Sequence, residues 1–252
     1  MKHENESKSI ELTAVRNLLQ VSGEESTYLE KLNSSELTNL KHQILQSVQD
    51  GQKEIFGTIA KVSKYMPNFL NAKVSQDILG PQITANLSYF LPPKEAIGIA
   101  SHFPSRFFAD VVEHLVPEKI SEMIALTPFP QMRDAVQELV KRGNFFVIGS
   151  LIDYTPLPSV DKIARGIADP AHLIQITYFC RDKERVLALF REFGTEKIFE
   201  VIRAGLREEL FSMMQSIYQY ADEMLLTLTE NSIREKDPSL LGRYGELIGK
   251  RL

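Results

Sequence analysis

The sequence predicts an all-α protein, a superhelical array of short helix pairs with an internal duplication, flanked by longer helices at both ends. Three observations carry this expectation. The first is an internal echo: Tyr65 to Leu91 (YMPNFLNAKVSQDILGPQITANLSYFL) aligns without a gap on Tyr154 to Cys180 (YTPLPSVDKIARGIADPAHLIQITYFC). Tyr65 faces Tyr154, Pro67 faces Pro156, Lys73 faces Lys162, Pro81 faces Pro170 and Tyr89 faces Tyr178. The match continues through Lys94/Lys183 and Glu95/Glu184, then after a one-residue slip reaches Phe103/Phe193 and Val111/Val201. An offset of about 89 residues holds several helices per unit. The second observation is punctuation. Apolar runs of about ten residues alternate with Pro81, Pro92-Pro93, Pro104, Pro117, Pro128, Pro156 and Pro170, placed where proline suits the first turn of a helix. The third is the lack of any two-residue alternation long enough for a sheet. The best strand candidate, Asn144 to Leu151 (NFFVIGSL), reads as a buried helix because its neighbours are also apolar.

The elements follow in order. Residues 1–9 are polar and are expected to be a disordered N-terminus. Residues 10–63 hold the N-terminal helices. The first covers Ile10 to Val21, with Leu12, Val15, Leu18 and Leu19 on one face and Gly23 as its stop. The second starts at Ser34-Ser35-Glu36 and runs to about Tyr65, with Leu37, Leu40, Ile44, Val48, Ile55, Ile59 and Val62 as its apolar residues. Gly51 in its middle predicts a kink or interruption. Residues 64–205 form the duplicated helical-repeat domain, in units of about 64–115 and 153–205. Residues 206–252 form a C-terminal long helix and a short terminal helix. Leu210, Met214, Ile217, Ala221, Met224 and Leu228 step by four and three as a heptad seam, until Asp237-Pro238 breaks it.

Composition narrows the function classes. At 252 residues the chain suits one large domain or two small ones. A hydrophobic share of 43% and a charged share of 25% are ordinary for a soluble chain. A net charge of -4 gives no global attraction to nucleic acid. Arg181, Lys183 and Arg185 alternate with Asp182 and Glu184, the pattern of a solvated helix face. A single cysteine, Cys180, permits no intramolecular disulfide and fits a reducing compartment. The apolar runs are too short to span a bilayer, and MKHENESKS lacks the apolar core of a secretory signal. A cytoplasmic location without membrane insertion is expected. No phosphate-cradling glycine motif, nucleophile elbow or HExxH helix occurs.

The run Phe108-Ala109-Asp110-Val111-Val112-Glu113-His114-Leu115-Val116-Pro117-Glu118-Lys119 is similar to the repeated A-D-V-L-E-x-L-P-x-E phrase of one helical-repeat family. That phrase occurs in the cytosolic N-terminal domain of MgtE-type magnesium transporters, and a related architecture occurs in the flagellar motor switch protein FliG. Leu126-Thr127-Pro128 falls where the family ends its next helix. The resemblance extends over at most residues 92 to 205. It implies a right-handed superhelix of short helices used in regulation or assembly rather than chemistry. The chain departs from the family in having no regulatory domain pair after the repeats, no transmembrane segments and no charged torque-generating helix. No functional residue is therefore carried over.

Candidate partner-binding residues are Arg106, Phe107, Arg181, Arg185 and Met214, because exposed Arg and aromatic side chains dominate interface energetics and Met faces adapt to varied partners. Met214 belongs to the heptad seam, which reads either as a homodimer surface or as a cap on the array. Asp110, Glu113 and His114 are the candidate metal ligands, with Asp110 and His114 at i, i+4. The alternative is a surface Asp–His pair on an amphipathic helix. Asp153-Tyr154 with Asp161-Lys162 and Cys180 with His172 are weak candidates for chemistry. The recurrence of Tyr-x-Pro at Tyr65 and Tyr154 favours packing, and residues eight apart on a helix are about 12 Å apart. No cofactor and no catalysis are expected. The function expected is a non-catalytic helical-repeat protein acting as a protein–protein interaction or regulatory scaffold. The alternative is a cytosolic sensor of a small ligand or divalent cation bound between the repeat units.

Overall fold

The computed structural model describes residues 2–249. Among them are sixteen α-helices and no strand, so the all-α class is observed. The chain divides into two compact units, Met1–Glu138 and Leu139–Leu252. The expected 64–205 domain is thus split, and each echo lies in its own unit. The offset pattern reports recurring local structure; it does not report which helices bury one another.

The first unit holds α1 (Lys2–Leu19), α2 (Ser34–Ser63), α3 (Asn68–Val74), a π-helical turn (Ser75–Leu79), α4 (Gly80–Ser88), α5 (Pro93–Ala100), α6 (Ser105–Val112) and α7 (Ser121–Leu126). Helix α8 (Phe129–Lys141) carries the chain onward. Helix α1 starts at Lys2 and not at Ile10, which corrects the expected disorder of this segment. Lysine and glutamate are good helix formers, and neither Pro nor Gly interrupts the segment. Lys8 Nζ also donates to the Glu30 carbonyl at 2.6 Å. The helix ends at Gln20, whose φ of 56° is left-handed, before Gly23 is reached. Helix α2 begins on a capping box: the Asn33 side chain accepts from Glu36 N–H, and the Glu36 carboxylate accepts from Asn33 N–H. It passes through Gly51 and Gly57 without a break.

Val15, Leu29 and Leu37 form one small core, and Phe56, Ala60 and Leu87 another. Lys41 lies beside the first, with Nζ 3.0 Å from Glu11 and 3.2 Å from Glu118. The Lys41 and Glu11 side chains are only 7% and 9% exposed, so this pair lies where the loss of one member is costly.

The second unit holds α9 (Phe145–Ile152), α10 (Leu157–Gly166), α11 (Pro170–Tyr178), α12 (Lys183–Phe190), α13 (Thr195–Gly205), α14 (Glu208–Tyr218), α15 (Glu223–Lys236) and α16 (Leu241–Ile248). One core gathers Ile174, Ile202, Met214, Leu225, Ile233 and Tyr244. The strand-like NFFVIGSL run is helical, as α9. Gly149 lets α9 approach α11: a Cβ there would stand 2.5 Å from the Ile176 carbonyl oxygen.

The expected long C-terminal helix is instead the pair α14 and α15. Residues 219–222 leave the helix, and the Asp222 side chain caps α15 by accepting from Leu225 N–H at 2.9 Å. Capping wins over heptad periodicity here. Leu210, Met214 and Ile217 face the core, while Met224, two residues past the break, is exposed.

A shift of 89 residues sets α3, α4 and α5 on α10, α11 and α12, and with the one-residue slip α6 falls on α13. Pro67 and Pro156 precede α3 and α10 as N-caps, and Pro81 and Pro170 lie in the first turns of α4 and α11.

Candidate functional site

An apolar face is exposed in the first unit. Among the described residues thirteen large hydrophobic side chains are exposed, and eight of them fall between Val48 and Ile83. The cause lies in helix length. Helix α1 has 18 residues and α2 has 30. The Glu11–Lys41 and Val15–Leu37 contacts place α1 on the first half of α2. Beyond them the apolar stripe continues as Val48, Ile55 and Val62, all exposed. Steps of seven return to almost the same face of a helix, drifting about 20°. The neighbouring face of the same half turns Phe56, Ala60 and Ser63 inward.

The stripe then passes into the turn before α3. Tyr65 is 90% exposed, and Phe69 and Leu70 follow it on α3. Asn71 fixes this geometry: its Nδ2 donates to the Ser63 carbonyl at 2.8 Å and to the Met66 carbonyl at 3.2 Å. With Asn71 and Ala72 turned inward, Phe69 and Leu70 face solvent. Ile78 and Ile83 complete the group on the adjoining π turn and α4. The exposure of Tyr65 corrects the expectation that it packs against the turn.

The sequence-predicted residues are dispersed. Arg106 is exposed on α6, and Phe107 beside it is half-buried, edge-on to Phe103 at 4.9 Å between ring centroids. Arg181 is exposed, with its backbone N–H donated to the Asp153 carboxylate at 3.1 Å. Arg185 is not an exposed anchor. Its guanidinium donates to the carbonyls of Ile152, Asp153 and Thr155 at 3.1, 3.1 and 2.7 Å, closing the C-terminus of α9. Met214 is 2% exposed, packed against Gly205 in the core, so it supplies no partner or dimer surface. Helix α6 ends at Val112, so Glu113 caps it and His114 lies past its end. The assumed i, i+4 helical spacing of Asp110 and His114 is lost there. Among the described residues no three His, Cys, Asp or Glu side chains group as metal ligands.

The weaker candidates are held in packing. Cys180 is fully buried, burial pushes its thiol pKa up, and Sγ donates to the Ile176 carbonyl. A thiol so shielded is no nucleophile. His172 stacks on Phe145 at 4.9 Å. Asp161 accepts both of its contacts from Arg165 Nε, and the Asp153 carboxylate accepts from Arg181 and Asp182 N–H. Lys183 is buried, its ammonium donating to the Cys180 carbonyl at 2.7 Å and lying 5.7 Å from the Tyr220 ring centroid.

Sequence reasoning missed the exposed face. Its signal was the seven-residue spacing of Val48, Ile55 and Val62, which reads equally as core until the length of α1 is known.

No family model, curated protein or solved structure matches the chain. Among the described residues no helix is long and apolar enough to cross a membrane.

Proposed function

We propose that this chain is a non-catalytic helical-repeat protein that binds another protein as an interaction or regulatory scaffold in the cytoplasm. One observation carries the reading: the concentration of exposed large apolar side chains between Val48 and Ile83. Contiguous apolar surface rimmed by polar residues marks a site of association. Lys61, Lys64 and Lys73 are exposed in the same stretch of chain, with Lys73 paired to Asp77 at 3.1 Å. Aromatic side chains at the centre of such a face carry most of the binding energy, and Tyr65 and Phe69 fill that role. The similarity of the Phe108–Lys119 phrase to the MgtE-type repeats, which implies a role in regulation or assembly, favours the same reading. So does the recurrence of four helices in the same order at the offset of the echo.

A photo-crosslinking amino acid in place of Tyr65, activated in the native host, tests it. The expected result is one protein adduct of fixed stoichiometry, lost when Phe69→Ser is added. The absence of any adduct to another protein overturns the reading. An adduct to a second copy of the chain replaces the scaffold with a homodimer.

A further inference from the structure

Helix α1 shows what the apolar side of α2 accepts. Leu37 of α2 packs on Val15 of α1, and Lys41 meets Glu11, so the two helices run antiparallel. At that register Lys2, nine residues before Glu11, falls opposite Asp50, nine residues after Lys41. Residues 51–63 of α2 therefore lie beyond the reach of α1. The apolar line does not stop there. Val48 stands about three turns past Leu37, and Ile55 and Val62 follow at steps of seven. Gly51, Ile55, Thr58 and Val62 fall within about 60° of one another around the helix, and all four are exposed. Phe56, Ala60 and Ser63 border this stripe on one side, turned inward. Glu54 and Lys61 border it on the other side, both exposed. Among the described residues nothing stands within 4 Å of a Cβ at Gly51, so the fold of this chain does not require glycine there.

Continuity, charge and side-chain size select what covers this half. The stripe prolongs the line on which α1 already lies, and its steps of three and four match another helix. An extended segment repeats its side chains every two residues and does not match. The charged edge carries one acid and one base a heptad apart. An anionic lipid surface gains nothing from such an edge, whereas a facing helix with a base and an acid at the same spacing pairs with both. Gly51 and Thr58 alternate with Ile55 and Val62, which leaves space for large side chains opposite the two small ones. A second copy of α2 does not fill that space. Set antiparallel so that Glu54 meets Lys61, it places Ile55 on Thr58 and Val62 over the bare backbone of Gly51. The charges then match while half of the seam stays empty.

We infer that the partner protein lays one amphipathic helix along residues 51–63 of α2. Large apolar side chains stand opposite Gly51 and Thr58, a Lys or Arg opposite Glu54, and an Asp or Glu opposite Lys61. This rests on the protein-binding reading of the exposed face and names the element of the partner that meets its α2 portion.

The test places a photo-crosslinking amino acid at Ile55, Thr58 or Val62 of the full chain, one site per variant, in the native host, and maps each adduct by mass spectrometry. Ile55 and Val62 are about 10.5 Å apart along the axis. A facing helix spans that distance in about seven residues and an extended segment in about three. The expected result is one partner segment crosslinked at steps of three and four, with the Ile55 and Val62 sites about seven residues apart. Lys61→Glu is expected to lower the adduct yield from Ile55 by up to about fivefold, the scale of an exposed ion pair, and reversal of the facing acid in the partner restores it. Gly51→Leu fills the space on the stripe. It is expected to hold or raise the melting midpoint of the chain while the adduct yield falls. Sites about three residues apart, sites scattered over several segments, or adducts to a second copy overturn the inference. Undiminished yield with Gly51→Leu or with Lys61→Glu overturns it too. In each of those cases an adduct from Tyr65 to another protein leaves the protein-binding reading standing. No protein adduct from Tyr65 or from any of the three α2 sites overturns both.

Discussion

The turn before α3 and the turn before α10 occupy matching positions in the echo, yet they are closed by different chemistry. A helix end leaves carbonyls without intrahelical partners, and a tight turn must satisfy them. Before α10 the donor is the Arg185 guanidinium, which takes three carbonyls, with the Asp153 carboxylate receiving the N–H groups of Arg181 and Asp182. At the matching positions of the first echo stand Ala96, Lys64, Pro92 and Pro93, none of which repeats that arrangement. There the donor is the neutral Asn71 carboxamide, whose own counterpart is Val160. The helix before the turn differs as well: Gly149 matches Ala60. The difference teaches that the recurring element order is maintained by tolerance at the Pro-marked starts, while the contacts that close each turn are private to it.

Substitutions at five positions break or sharpen this comparison. Gly149→Ala is expected to have the largest effect, because its Cβ would meet the Ile176 carbonyl oxygen at 2.5 Å and Phe179 Cβ at 2.7 Å. A loss of about 3 kcal/mol in urea unfolding is expected, against about 1 kcal/mol for Ala60→Gly. A loss under about 1 kcal/mol for Gly149→Ala, within the range of ordinary core adjustments, would mean α9 can withdraw from α11. Arg185→Ala removes a charged donor from three carbonyls and is expected to cost about 2–3 kcal/mol by the same measurement. Arg185→Lys should recover little, since an ammonium does not reproduce the planar fork. Asn71→Ala is expected to cost about 1–2 kcal/mol, from two neutral hydrogen bonds. If Asn71→Ala proves costlier than Arg185→Ala, the ranking of the two closures is reversed. Tyr65→Ser should change stability by less than about 0.5 kcal/mol, as an exposed side chain does. A large loss there would place Tyr65 in a packing role after all.

The all-α class was legible because periodicity and proline placement are local signals. The N-cap chemistry at Asn33 and Asp222 was equally local, and reading Asp222 as a cap would have split the expected long helix. The polarity of the first residues predicts disorder, whereas a helix needs only good formers and one side to pack on. Arg185 and Met214 were misplaced for a different reason. Whether an arginine faces solvent or a ring of carbonyls, and whether a methionine seam faces a partner or its own core, is settled by residues distant in sequence. The i, i+4 reading of Asp110 and His114 failed on a boundary, since α6 stops at Val112.

Lys41 joins residues from three distant parts of the chain around one buried ammonium, with Glu11 from α1 and Glu118 from the turn after Pro117. For a chain growing on the ribosome these partners arrive at different times. The first two helices emerge with one carboxylate in place, and the second follows 77 residues behind Lys41. Domains generally fold as units during synthesis, and long-range closures come late. A fragment ending before Pro117 is therefore an ion network left half-assembled, and not merely a shorter first unit.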